Sequence, residues 1–177
     1  DKANLLGSFL VTQFQVAALS RADVAEAERR DFHLFVDEFH SFVTDSFAPI
    51  LSEARKYRLS LTLSHQYFDQ LKPEILSAVL GNVGSMVAFR VGHRDAKALE
   101  EAFGRSYVAG QFSGLSNREI CAKILCDGKD VDPFMGRTLP PLGKRRGRRD
   151  AIIRRSREKY SALKRIVEER IARWLGF

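Results

Sequence analysis

Apolar and polar positions alternate along the chain with two periods, and the changes of period mark the elements. Over residues 4–27, Leu6, Phe9, Leu10, Phe14, Ala17, Ala18 and Leu19 return at helical spacing, and Arg21 and the charged cluster from Glu26 to Arg30 form the polar end of a predicted helix. Residues 32–36 are apolar at four of five positions and sit between charged neighbours, the pattern of a strand buried on both faces of a parallel sheet. It ends in two adjacent carboxylates, Asp37 and Glu38. Ser46 can cap a helix through Phe47, Ile50, Leu51 and Ala54, with Pro49 tolerated in its first turn. Arg55, Lys56 and Arg58 gather at that helix's negative pole.

Residues 59–64 then alternate with period two and predict a second strand, followed at once by His65 and Gln66. A helix over 69–80, a glycine-rich turn at 81–84 and a third strand over 86–91 come next. Asp95 reads as the cap of a helix with Ala98, Leu99, Ala102 and Phe103 on one face. Residues 119–126 predict a fourth strand, and Asp127-Gly128 a hairpin-type turn. Strands that alternate with helices predict an α/β fold with a mostly parallel sheet flanked by helices. Two regions are expected: a globular part over 1–142 and, over 143–177, a basic linker with one amphipathic helix carrying Tyr160, Leu163, Val167, Ile171 and Trp174.

Composition narrows the class. The chain has 177 residues, 45% apolar and 29% charged, which suits a folded soluble protein rather than a disordered one. Its two cysteines, Cys121 and Cys126, have no zinc-ligand spacing and form no disulfide framework, so a reducing, cytoplasmic setting is expected. No apolar run approaches the ~20 residues that span a bilayer. The net charge of +7 is concentrated at one end. Residues 143–177 hold thirteen Lys and Arg against four Asp and Glu, whereas residues 1–142 hold sixteen against eighteen. Lys144, Arg145, Arg146, Arg148 and Arg149 are therefore candidates for neutralising nucleic-acid phosphates; the bland alternative is a solvated basic face.

The chemistry centres on Asp37-Glu38. Ligands of open α/β sheets bind at the carboxyl ends of the strands, where one acid can serve a metal-bound water and its neighbour can polarise a nucleophile, as in a Walker B motif. Gln66 follows the next strand, so the two would meet at one sheet edge and Gln66 could orient water or sense a γ-phosphate. Taken alone, Gln66 is a solvated loop residue and Arg55 a charge that satisfies helix-end carbonyls.

Several strings carry a resemblance: Phe35-Val36-Asp37-Glu38-Phe39-His40-Ser41-Phe42, Ile50 to Tyr57 leading into Leu61-Thr62-Leu63-Ser64-His65-Gln66, Gly81-Asn82-Val83-Gly84-Ser85, and Ala88-Phe89-Arg90-Val91-Gly92 with Asp95-Ala96. With them the chain resembles the FtsK/HerA-type DNA-pumping ATPases, and most closely the type IV secretion and conjugative coupling proteins (TraD/TraG-like). The resemblance implies a RecA-like P-loop NTPase domain, a hexameric ring, ATP and Mg2+ as cofactors, DNA as partner, and contacts with other conjugation or secretion components. It also implies a cytoplasmic motor that reaches the inner membrane through a region outside this chain. By the same resemblance, Asp37 would hold the magnesium shell, Glu38 would activate water, Gln66 would be the sensor, and Arg55 the arginine finger offered to a neighbouring subunit. Arg58 stands where the family often has glycine.

One departure is large: no G-x-x-x-x-G-K-[ST] string occurs, so the backbone cradle and lysine that bind phosphates are missing. The expectation is the C-terminal half of a motor domain, inactive alone and part of an ATPase at full length. The alternative is a scaffold or nucleic-acid-binding adaptor that keeps the fold without hydrolysing ATP.

Overall fold

A computed structural model describes residues 2–43, 47–141, 143 and 147–176. The chain divides into two compact units, Asp1–Thr138 and Leu139–Phe177.

The first unit opens with helix α1 (Lys2–Leu19). It is shorter than the 4–27 periodicity predicts. The Ser20 hydroxyl donates to the Ala17 carbonyl, competing with the helical ladder, and 3-10 turns over Ser20–Asp23 and Glu26–Glu28 follow. Two arginines tie this segment down through backbone carbonyls, near and distant in sequence. Arg21 Nη1 donates to the Arg30 and Tyr57 carbonyls, and Arg29 Nε to those of Arg21 and Val24.

Strand β1 (Phe32–Val36) pairs in parallel with β2 (Leu59–Leu63), in the register Phe32 to Leu59 through Val36 to Leu63. Between them lie α2 (Phe47–Glu53) and a 3-10 turn, Ala54–Tyr57. The cap expected of Ser46 lies outside the described residues. Helix α3 (Pro73–Asn82) starts four residues later than predicted, because Pro73 sets its first turn and Phe68–Gln70 forms a separate 3-10 turn. One face of the sheet, with Leu34, Val36, Leu59, Leu61 and Leu63, packs with Val11, Phe39, Phe47, Ile50, Ile75 and Val79. The opposite face carries His33, Ser60, Thr62 and Phe35, whose relative exposure is 72%. The expectation of a strand buried on both faces thus holds for one face only.

A second sheet corrects the expectation of a mostly parallel one. Strands β3 (Met86–Ala88), β4 (Glu119–Cys126) and β5 (Lys129–Arg137) are antiparallel, in the order β3-β4-β5. Asp127 and Gly128 both take positive φ, 49° and 75°, so the predicted turn joins β4 to β5, a strand the sequence pattern had not revealed. Its Pro133 and the charges at Lys129, Asp130 and Asp132 hide the alternation, and both suit an edge strand. Helices α4 (His93–Ala102) and α5 (Ala109–Ser113) cover this sheet through Ala96, Leu99, Phe103, Phe112 and Cys121. Gly92, not Asp95, is the N-cap of α4.

The second unit contains α6 (Arg149–Tyr160) and α7 (Lys164–Leu175), two helices where the stripe from Tyr160 to Trp174 predicted one. The break is at Ser161, whose N–H and hydroxyl both donate to the Arg157 carbonyl and close α6. No described helix is long and apolar enough to cross a membrane.

Candidate functional site

The site is built where β1 and β2 end side by side. One step past the paired registers, Ser64 N donates to the Val36 carbonyl at 3.0 Å, and Phe39 N donates to the Ser64 carbonyl at 3.0 Å. The second strand therefore reaches across Asp37 and Glu38. Glu38 takes a left-handed conformation, φ 48° and ψ 44°, which turns the chain sharply into the 3-10 turn Phe39–Ser41. A non-glycine residue in that region is strained and needs support from its surroundings. Phe39 supplies it. It is fully buried, stacked with Phe47 at 6.3 Å between ring centroids and edge-on to His65 at 5.0 Å.

Each carboxylate has a partner from the end of β2. The Ser64 hydroxyl donates to Asp37 Oδ1, which also accepts the Glu38 N–H at 3.0 Å. Gln66 Nε2 donates to Glu38 Oε1 at 2.5 Å. The other Glu38 oxygen lies 3.5 Å from His40 Nδ1, within ion-pair range, although that buried nitrogen makes no hydrogen bond. Glu38 and Gln66 stand 28 positions apart in sequence and meet because β1 and β2 are parallel and in register.

The loop is fixed further by α1. Gly7 lies against Phe42, and a Cβ built on it would come within 2.2 Å of Phe42 Cδ1. Only glycine allows α1 so close to the segment after Glu38.

His65 is half-buried, and burial lowers its pKa below the usual 6.5. The hydrogen bond with the Tyr67 carbonyl and the charges of Asp95 and Glu38 oppose that shift, while His40 adds to it. The ring is also tilted on Phe68 at 5.4 Å. Asp95, at 7% exposure, accepts the Phe68 N–H at 3.3 Å.

Asp37, Glu38 and Gln66 are brought together as the sequence pattern predicts. Arg55 is not. It is exposed on the 3-10 turn that leads into β2, at the opposite end of the strand, roughly 17 Å away at the usual rise per residue. It cannot reach the carboxylates of its own chain. Asn82, in the Gly81 to Ser85 string, ends α3, its amide donating to the Ala78 carbonyl. Lys144, Arg145 and Arg146 lie outside the described residues. Arg148 and Arg149 are exposed at the start of α6, where Arg149 pairs with Asp150 at 3.3 Å.

The sequence patterns give no site role to Ser64, His40 or His65 and read Asp95 only as a helix cap. Ser64 had a visible signal, since it closes the alternating run and precedes Gln66 by two; the others follow from loop packing alone. Chemically, the pair offers one carboxylate for a hard cation and one, held by an amide donor, for a proton. Asp37 is exposed and fits the habit of Mg2+, which takes one or two carboxylates and completes its shell with phosphates and water. No protein-family model matches the chain, and no curated protein matches it in sequence.

Proposed function

We propose that the chain is the C-terminal portion of an ATP-driven DNA-translocating motor of the FtsK/HerA type, nearest to the coupling proteins of conjugative DNA transfer and type IV secretion. The observation that carries this reading is the paired contact at the strand ends, Ser64 on Asp37 and Gln66 on Glu38. A Walker B acid pair with a polar sensor from the neighbouring parallel strand has this form.

On this reading Glu38 takes a proton from the attacking water as its oxygen bonds to the γ-phosphorus. The bond from that phosphorus to the bridging oxygen breaks, and ADP leaves with the electron pair. Gln66 orients Glu38 and the water. Magnesium, held through water near Asp37, would neutralise phosphate charge. Arg55 is exposed at the far strand end, away from the carboxylates of its own chain, and on this reading it would act as a trans arginine finger toward a neighbouring subunit of a ring. Lys144, Arg145, Arg146, Arg148 and Arg149 supply phosphate contacts to DNA, which would weaken steeply with salt.

A second reading, an adaptor without hydrolysis, is favoured by one observation: the chain has no phosphate-binding loop of the G-x-x-x-x-G-K-[ST] kind. Two measurements separate them. The encoding gene is read upstream for such a loop, and ATP hydrolysis is measured on the full-length product. Glu38→Gln should retain nucleotide binding and abolish turnover; unchanged turnover removes Glu38 from the mechanism.

A further inference from the structure

Asp95 is the buried charged side chain of the described residues. It lies in the first turn of α4, next to Ala96 and one turn from Leu99, both buried, where an apolar residue would pack without the cost of desolvating an acid. Its carboxylate does not cap its own helix, since Gly92 is the N-cap and no side-chain cap bond is made. Instead Oδ2 reaches back to the Phe68 N–H, at 3.3 Å and 27 residues away.

That amide closes the loop that carries Gln66. At its first end, Ser64 is fixed by Val36, Phe39 and Asp37. At its second end, Phe68 is fixed by Asp95, and its ring lies on His65. Only three residues, 65–67, separate the anchors, and Gln66 is the middle one. A short loop held at both ends has few conformations left, so the second anchor limits where the Gln66 amide can point.

We infer that Asp95 is a positioning residue for Gln66: through the Phe68 amide it holds the loop after β2 so that Gln66 meets Glu38, and it ties α4 and the antiparallel sheet to the site. The inference deepens the ATPase reading and rests on it for its kinetic consequence, whereas the tether is a property of the chain that exchange measurements read directly.

The test compares Asp95→Ala with Asp95→Asn, whose amide oxygen still accepts the Phe68 N–H, in the full-length protein. In Asp95→Ala the Phe68 amide should exchange with solvent roughly ten-fold faster, and turnover at saturating ATP should fall roughly ten-fold with little change in KM. Asp95→Asn should restore both to within about three-fold of the parent. Wild-type kinetics in both variants, or a loss that Asn does not rescue, overturns the inference. If Asp95→Ala does not fold, the parent and Asp95→Asn decide alone: a Phe68 amide that exchanges as freely as an open loop amide overturns it. A parent protein with no ATP turnover refutes the ATPase reading while leaving Phe68 protection to decide the tether.

Discussion

Gln66 Nε2 donates to Glu38 Oε1 at 2.5 Å, joining the loop after β2 to the acid after β1. Because Gln66 is exposed, its side chain is free to act on the acid without holding the core. On the ATPase reading, Gln66→Ala in the full-length protein should therefore lower ATP turnover roughly 10- to 100-fold, the cost of losing a group that positions the acid and the water, and shift unfolding free energy by less than about 0.5 kcal/mol. Steady-state hydrolysis and urea unfolding on the same preparation check both halves. Turnover equal to the parent would remove Gln66 from the chemistry.

Gly7 tests how the loop is braced. Glycine to alanine in a helix interior ordinarily gains about 1 kcal/mol. Here the added Cβ would lie 2.2 Å from Phe42 Cδ1, so the sign should reverse, with Gly7→Ala costing about 1–3 kcal/mol. Adding Phe42→Leu should recover part of the loss. Chemical denaturation of the two single variants and the double variant measures the coupling, and a stabilising Gly7→Ala would refute the close packing.

Arg58 closes the 3-10 turn before β2 with φ 56° and ψ 32°, a left-handed conformation that suits glycine. Its pair with Asp31, at 3.4 Å, is largely exposed and contributes little. Arg58→Gly should raise stability by about 0.5–1 kcal/mol by relieving backbone strain. Arg58→Ala keeps the Cβ and should show no such gain, which thermal or urea unfolding can establish.

The His65 imidazole titrates below 6.5 because it is half-buried, so the unfolded chain binds a proton that the folded chain resists. Stability should thus rise with pH. Its contribution is complete above the ordinary value of 6.5 and is lost as pH falls from there through the lower folded value. His65→Phe, which keeps an aromatic ring near Phe39 and Phe68, should flatten the dependence over the pH range that opens below 6.5. Urea midpoints across that range would show it; identical slopes in parent and variant would exclude His65 as the source.

The acid pair and its glutamine were legible because each follows a short strand whose apolar pattern is strong, and parallel pairing does the rest. Asp127-Gly128 was legible for a similar local reason, since both positions require positive φ. The sheet direction was not. The hairpin makes β4 and β5 antiparallel, β3 pairs with the other side of β4 in the antiparallel sense after a two-helix connection, and β5, an edge strand, lacks an apolar alternation. The tail misled through its regular stripe, which Ser161 interrupts with a single side-chain hydrogen bond. Asp95 looked like a helix cap because its spacing fits one; only the folded loop shows that its partner is Phe68. The supports of the site, unlike its acids, come from residues far apart in sequence with no period to announce them.

Strands β1 and β2 pair with each other and, among the described residues, with no third strand. Each thus keeps one side of its backbone without a ladder partner, and Phe35 stands in the open beside them. Such a surface is a template for strand addition. Expressed alone at high concentration, the chain should tend to self-associate along these strand edges. Its purification should therefore begin from low concentration, with a soluble fusion partner, before any oligomer is taken as a sign of assembly.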